Sequence, residues 1–228
     1  MIPFYDDNPT RRFAIVAAVL IVLNLAAFAV TAADVERAAL GMGLIPARLL
    51  AAAELPAGIA AFDPWLTVLS SMFLHGGVMH VAGNMLYLWT FGNNIEDAMG
   101  PVRFVAFYLI CGLAAAGAQI AVDPNSTIPM IGASGAVSGV LGAYLLLHPR
   151  ASVYCLVFYR MMNLPAMVVL GWWIVVQIAN GAIADPSAGG VAWFAHIGGF
   201  AAGAALIPLF KRREVPLFGG ATRRGPWN

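Results

Sequence analysis

Six apolar stretches, most of them near the roughly 20 residues a helix needs to cross a bilayer, organise this 228-residue chain. In lipid every backbone N–H and C=O must be paired within the protein, so runs of this length dictate helices. They cover about 13–33, 78–95, 102–122, 134–148, 165–179 and 192–210. Hydrophobic residues make up 61% of the chain and charged residues 10%, a balance outside the soluble globular range. The net charge of +1, with no basic patch studded with aromatics, gives no footprint for nucleic acid. Cys111 and Cys155 are isolated and make neither a disulfide framework nor a metal site. No small-residue cleavage site follows the first stretch, so it reads as a retained helix rather than a signal peptide.

Segment 34–77 is moderately apolar, but Pro46, Glu54, Pro56, Asp63 and Pro64 break it too often for a span. It reads as an interfacial loop with short helices. The expected fold is an all-α polytopic membrane protein of six transmembrane helices with a long interfacial first loop. Residues 13–210 form one membrane domain, flanked by cytoplasmic ends at 1–12 and 211–228. The tail after Lys211, with Gly219, Gly220 and Pro226, is polar and reads as disordered. With the N-terminus inside, ten of the twelve Lys and Arg face the cytoplasm, Arg223 and Arg224 among them. Only Arg37 and Arg48 face out, and the loops at 123–132 and 180–191 carry no positive charge. That asymmetry orients both termini to the cytoplasm.

Depth then brings polar groups together. The fourth stretch has 15 residues, roughly 22 Å of helix against about 30 Å of hydrocarbon. If it ends at the inner surface with His148-Pro149-Arg150, Ser134 begins it roughly 8 Å below the outer one. The sixth stretch runs the same way and carries His196 roughly 7 Å down. The second also runs inward, with His80 and Asn84 about 3 and 9 Å deep. Polar groups in lipid are expensive enough that each calls for a functional hypothesis.

Ser134 lies in Gly132-Ala133-Ser134-Gly135. Gly132 and Gly135 permit a tight turn, and free amides at a helix start favour a developing oxyanion. The alternative is a serine packed at a helix interface, which is the reading for Ser138. His196 has Gly199 and Gly203 on its own face, a small-xxx-small pattern that lets a neighbouring helix approach. A neutral imidazole brought against Ser134 could take its proton as general base; the alternative is a histidine satisfied by a backbone carbonyl. His80 and Asn84, one turn apart, are donors without an acid, which suits oxyanion stabilisation; the alternative is interhelical hydrogen bonding. His75 reads as a structural residue holding the loop at its return to the membrane, and His148 as interfacial. A zinc site from His75, His80 and His196 lacks the H-E-x-x-H pattern, and Glu96 and Asp97 lie too close to the inner surface for aspartyl chemistry.

Three boxes in this order, His75-Gly-Gly-Val-Met-His80-Val-Ala-Gly-Asn84, Gly132-Ala-Ser134-Gly135 and Ala195-His196-Ile-Gly-Gly199-Phe-Ala-Ala-Gly203, resemble those of bacterial rhomboid-family intramembrane serine proteases. Asn84, Leu88, Gly92, Glu96 and Gly100 recur every four residues and lead into Arg103-Phe104, also as in that family. The resemblance spans roughly 62–206. It implies a six-helix core in the inner cell membrane, no cofactor and no metal, and cleavage of single-span membrane proteins near the outer face. Ser134 would be the nucleophile and His196 the base, with His80, Asn84 and the backbone around Gly132 and Ser134 as the oxyanion hole, and Gly199 and Gly203 as packing positions beside it. The rival is a catalytically inactive relative that binds membrane-protein clients, which should lack the serine or the histidine. Thr67 stands where many relatives have an arginine after a tryptophan. Ser138 replaces an aromatic that stacks on the histidine in some relatives, so the support of loop and base is open. A substrate would reach Ser134 sideways between the second and fifth spans, where Gly83 replaces a bulky aromatic of some relatives, implying a loosely latched seam.

Overall fold

The computed structural model describes residues 1–185 and 189–219. Arg223, Arg224, Gly220 and Pro226, used above for orientation and for the tail, lie outside the described residues, as do positions 186–188 of the loop 180–191. The order is strand β1 (Ile2–Asp6), then α1 (Ile15–Thr31), α2 (Val35–Met42), α3 (Pro46–Ala51) and α4 (Pro64–Ser70). A 3-10 turn at Ser71–Phe73 leads to α5 (Val78–Met99), α6 (Pro101–Val122) and α7 (Ser134–Leu147). Strands β2 (Ser152–Val157) and β3 (Arg160–Pro165) precede α8 (Ala166–Ile183) and α9 (Trp193–Phe210).

Helices α6, α8 and α9 are each long and apolar enough to cross a membrane. Two bent pairs, α1 with α2 at 116° and Pro64–Phe73 with α5 at 78°, raise that number to as many as five among the described residues. Helix α7 is a shorter apolar helix of 14 residues. Local signals start several helices: Asp63 caps α4 by accepting from the Trp65 amide at 2.9 Å, and Asp34 caps α2 through the Arg37 amide at 3.1 Å. Proline opens α3, α4 and α6, where its missing N–H costs nothing. Between α5 and α6 the chain reverses at Gly100, whose φ of +88° suits glycine alone without strain.

Helix α7 sits at the centre, with Tyr144, Val140, Ala143 and Leu147 fully buried. Glycines set its spacing to α9: a Cβ on Gly199 would overlap the Gly135 carbonyl oxygen, and one on Gly203 that of Gly139. The backbones therefore touch, and dispersion across that seam holds the two helices together where lipid removes most of the hydrophobic driving force. Glu96 of α5 accepts the Val16 and Ala17 amides at 3.0 and 2.8 Å. It thereby caps α1 from a neighbouring helix, since the N-cap residue of α1, Ala14, makes no side-chain cap.

The all-α expectation needs correction. β1, β2 and β3 form a three-stranded antiparallel sheet in that order. Val157 pairs with Arg160, so the hairpin turns on Phe158 and Tyr159, both at positive φ, as a two-residue loop of right-handed twist demands. β1 anchors the N-terminus: Tyr5 stacks on Tyr154 at 4.4 Å, and the Asp6 carboxylate accepts from the Tyr144 hydroxyl and from Asn94 Nδ2 at 2.8 Å. Burial pushes the Asp6 carboxyl up to about 6, against the opposing pull of those hydrogen bonds. The first part of the tail is also ordered. Arg212 N–H donates to the Ala98 carbonyl at 2.9 Å and Phe218 N–H to that of Leu146 at 2.7 Å, with Val215 and Leu217 packed on the core. Those two apolar side chains outweigh the polar composition around them.

Candidate active site

Ser134 is the first residue of α7, and its position follows from the turn before it. Gly132 has a φ of +128°, and a Cβ there would stand 2.8 Å from His80 Nε2 and 3.4 Å from Ser134 Oγ. Only glycine lets the histidine and the serine converge over this point. The amide of Gly132 is not an oxyanion donor as expected, because it donates to the Ser71 carbonyl at 2.8 Å. Gly132 thus shapes the site by the side chain it lacks. No side chain caps α7 among the described residues, so its first-turn amides have no helical partner.

Across the α7–α9 seam, His196 Nε2 lies 2.8 Å from Ser134 Oγ. Its other ring nitrogen, Nδ1, lies 2.8 Å from Oε1 of Gln177 on α8. Trp173, one turn before Gln177, lies tilted against the imidazole at 5.8 Å and 36°, and Trp193 meets it edge-on at 6.3 Å. The aromatic absent at Ser138 is therefore replaced from α8. Ser138 donates to the Ser134 carbonyl at 2.6 Å, which leaves it turned along its own helix.

His80 and Asn84 of α5 face the same space. The Gly76 amide donates to His80 Nδ1 at 3.2 Å, so in the neutral ring the proton sits on Nε2, the nitrogen beside Gly132 and Ser134. Asn84 is buried, and its Nδ2 has no hydrogen-bond partner among the described residues. A buried donor without a partner is costly and fits a group that a reacting oxygen is meant to satisfy. The His75 ring meets His80 edge-on at 5.0 Å. Thr67 is buried and donates to the Pro64 carbonyl at 2.5 Å, closing α4 on itself.

Ser134, His196, His80 and Asn84 line one cavity of about 720 Å³, large enough for a stretch of extended chain. Gly83 and Trp173 are also on its wall. Among the described residues no three His, Cys, Asp or Glu side chains converge as metal ligands. Reasoning from sequence missed Gln177 and Trp173. Their signal was an uncharged polar residue in an otherwise apolar helix, one turn after a tryptophan, and polar groups at that depth are rarely idle.

Comparison with known proteins adds ancestry to this geometry. Residues 63–213 match the Rhomboid domain family. The chain is 38% identical over 87 residues to Rhomboid protease GluP of Bacillus subtilis, covering 38% of this chain and 17% of that one. It is 30% identical over 190 residues to RHOMBOID-like protein 1 of Arabidopsis thaliana, covering 83% of this chain and 45% of the relative. Rhomboid protein 1, mitochondrial, of Saccharomyces cerevisiae is 31% identical over 97 residues, 41% of this chain and 28% of the relative. The chain thus spans less than half the length of each of these relatives.

Proposed function

The chain belongs to the rhomboid family and is a multi-pass membrane protein, and on that premise we propose that it is an intramembrane serine endopeptidase. The observation that carries the reading is the 2.8 Å contact between Ser134 Oγ and His196 Nε2 on the wall of a cavity. Ser134 Oγ attacks the carbonyl carbon of the scissile peptide as its proton passes to His196 Nε2. The carbonyl oxygen becomes an oxyanion, which receives hydrogen bonds from Asn84 Nδ2, His80 Nε2–H and the Ser134 amide. The imidazolium returns the proton to the leaving amine as the C–N bond breaks, leaving an acyl-enzyme. Water then attacks this ester, with His196 again taking the proton, and Ser134 is regenerated.

The substrate in this reading is a membrane protein with a single span, cleaved near the outer face. It reaches Ser134 between α5 and α8, past Gly83, where a side chain would meet open space. Six spans with both termini in the cytoplasm, in the inner cell membrane, complete the proposal; α7 then counts as a short span starting below the outer surface. Incubating purified protein in detergent with a model single-span substrate tests it. Cleavage by wild type and none by Ser134→Ala is expected. Residual cleavage by Ser134→Ala ends the serine mechanism, and binding without cleavage by wild type makes the chain a client-binding relative.

A further inference from the structure

The oxyanion donors and the nucleophile come from positions that the sequence motifs single out, but the support of the base does not. We infer that Gln177 is a positioning residue that holds His196 in the one neutral tautomer able to accept the Ser134 proton. The inference rests on the proposed serine mechanism and adds to it a residue on α8, a helix that carries none of the proposed reacting groups.

Two contacts of Gln177 determine the tautomer without any hydrogen being seen. Its Nε2 donates to the Trp173 carbonyl at 3.2 Å. Turning the amide over would set two acceptor oxygens against each other there, so Oε1 is the end that faces His196. Oε1 lies 2.8 Å from His196 Nδ1, and an oxygen without a proton can only accept. Nδ1 must therefore carry the hydrogen. A neutral imidazole has just one, so Nε2 is bare where it meets Ser134 Oγ at 2.8 Å. The opposite tautomer would point an N–H at the serine and could take no proton from it.

Burial makes this contact matter. Gln177 is only 6% exposed, so few competing partners reach it. The Trp173 and Trp193 rings against His196 restrict the ring plane but do not distinguish Nδ1 from Nε2. Only a group in the plane of the ring does that. In a soluble Ser–His–Asp site a carboxylate performs this task, and its loss favours the wrong tautomer. A buried carboxylate in a membrane is expensive, whereas a neutral amide orients the ring without burying a charge.

The test compares Gln177→Leu with Gln177→Glu in the full-length protein. Leucine removes the acceptor and leaves a buried N–H unpaired, so kcat should fall about 10- to 100-fold while KM stays within about twofold. Glutamate keeps an acceptor oxygen toward His196 Nδ1, and its protonated form, which burial in lipid favours, can donate its O–H to the Trp173 carbonyl in place of Nε2, so turnover should remain within about fivefold of wild type. Histidine-selective 15N spectra supply a readout that packing alone would not move. The chain has four histidines, and comparison with His196→Ala identifies the relevant signals. Wild type and Gln177→Glu should show Nδ1–H alone at His196, and Gln177→Leu a mixture. Equal losses in both variants, an unchanged kcat in Gln177→Leu, or an unchanged tautomer there would overturn the inference. Labelling of Ser134 by a fluorophosphonate separates this from the mechanism itself: wild type that does not label sinks the serine reading, while the tautomer measurement stands by itself.

Discussion

The two ends of α7 treat their polar groups in opposite ways. At the Tyr144 end most are engaged: Asp6 accepts from Tyr144 and Asn94, Asn94 also accepts from Asn8 at 2.8 Å, and Glu96 nearby takes two amides of α1, while Asp97 Oδ1 is a buried acceptor, not a donor, left without a partner among the described residues. At the Ser134 end donors are left over. Among the described residues Asn84 Nδ2 is buried without a partner and no side chain caps the first-turn amides, and a cavity of about 720 Å³ adjoins them. A satisfied network rigidifies, and an unsatisfied one is tolerated where a ligand or a transition state completes it. Under the proposed function, stability belongs to one end of a single helix and chemistry to the other.

Substitutions at the open end should therefore change rate and leave the fold alone. The largest effect is expected from the Ser134–His196 pair: each alanine variant should lose at least about 10⁴-fold in turnover, and the double variant should be no worse because the two act as a unit. Additive losses, measured on a single-span substrate, would break the pairing. Next comes Asn84→Ala, which should lower kcat about 10²- to 10³-fold with little change in KM. An unchanged kcat would make Asn84 a packing residue and remove one member of the open set.

A smaller effect, about tenfold, is expected for Gly83→Phe, since an aromatic side chain would close part of the lateral seam. Cleavage of a membrane-spanning substrate should slow while that of a short soluble peptide is spared. Equal slowing of both would point to damage at neighbouring Asn84. The smallest effect belongs to the closed end and concerns stability. The Asp6 carboxyl is raised from 3.8 to about 6, so the folded strand favours its protonated form. That contribution is fully present below the ordinary value and is lost as pH rises through about 6. Hydrogen exchange at residues 2–6 should thus be slower at about pH 4 than at about pH 7 once corrected for intrinsic rates, and Asp6→Asn should flatten the difference. A pH-dependent turnover that Asp6→Asn also flattens would erase the separation between the two ends.

The helices were legible because their cause is local. An apolar run of bilayer length has one way to satisfy its backbone, so the stretch at 102–122 becomes α6 at Pro101–Val122 and that at 192–210 becomes α9 at Trp193–Phe210. Ser134, His196, His80 and Asn84 were legible for a related reason: polar side chains at one calculated depth in lipid stand out against everything around them. What joins distant segments was not legible. β1 pairs with β2 across about 150 residues, and no periodicity in Ile2–Asp6 announces a partner that far away. Whether the Gly132 amide is free or bonded depends on where the Ser71 carbonyl lands, and that is decided by the packing of the first loop. Likewise Gln177 looks like one more polar residue in an apolar helix until α8 seats it beside His196. Composition and spacing determined the long apolar helices and which residues are too polar for their surroundings. Tertiary contact alone decided which donors are consumed and which remain, because a hydrogen bond depends on tenths of an ångström between groups that the chain itself keeps far apart.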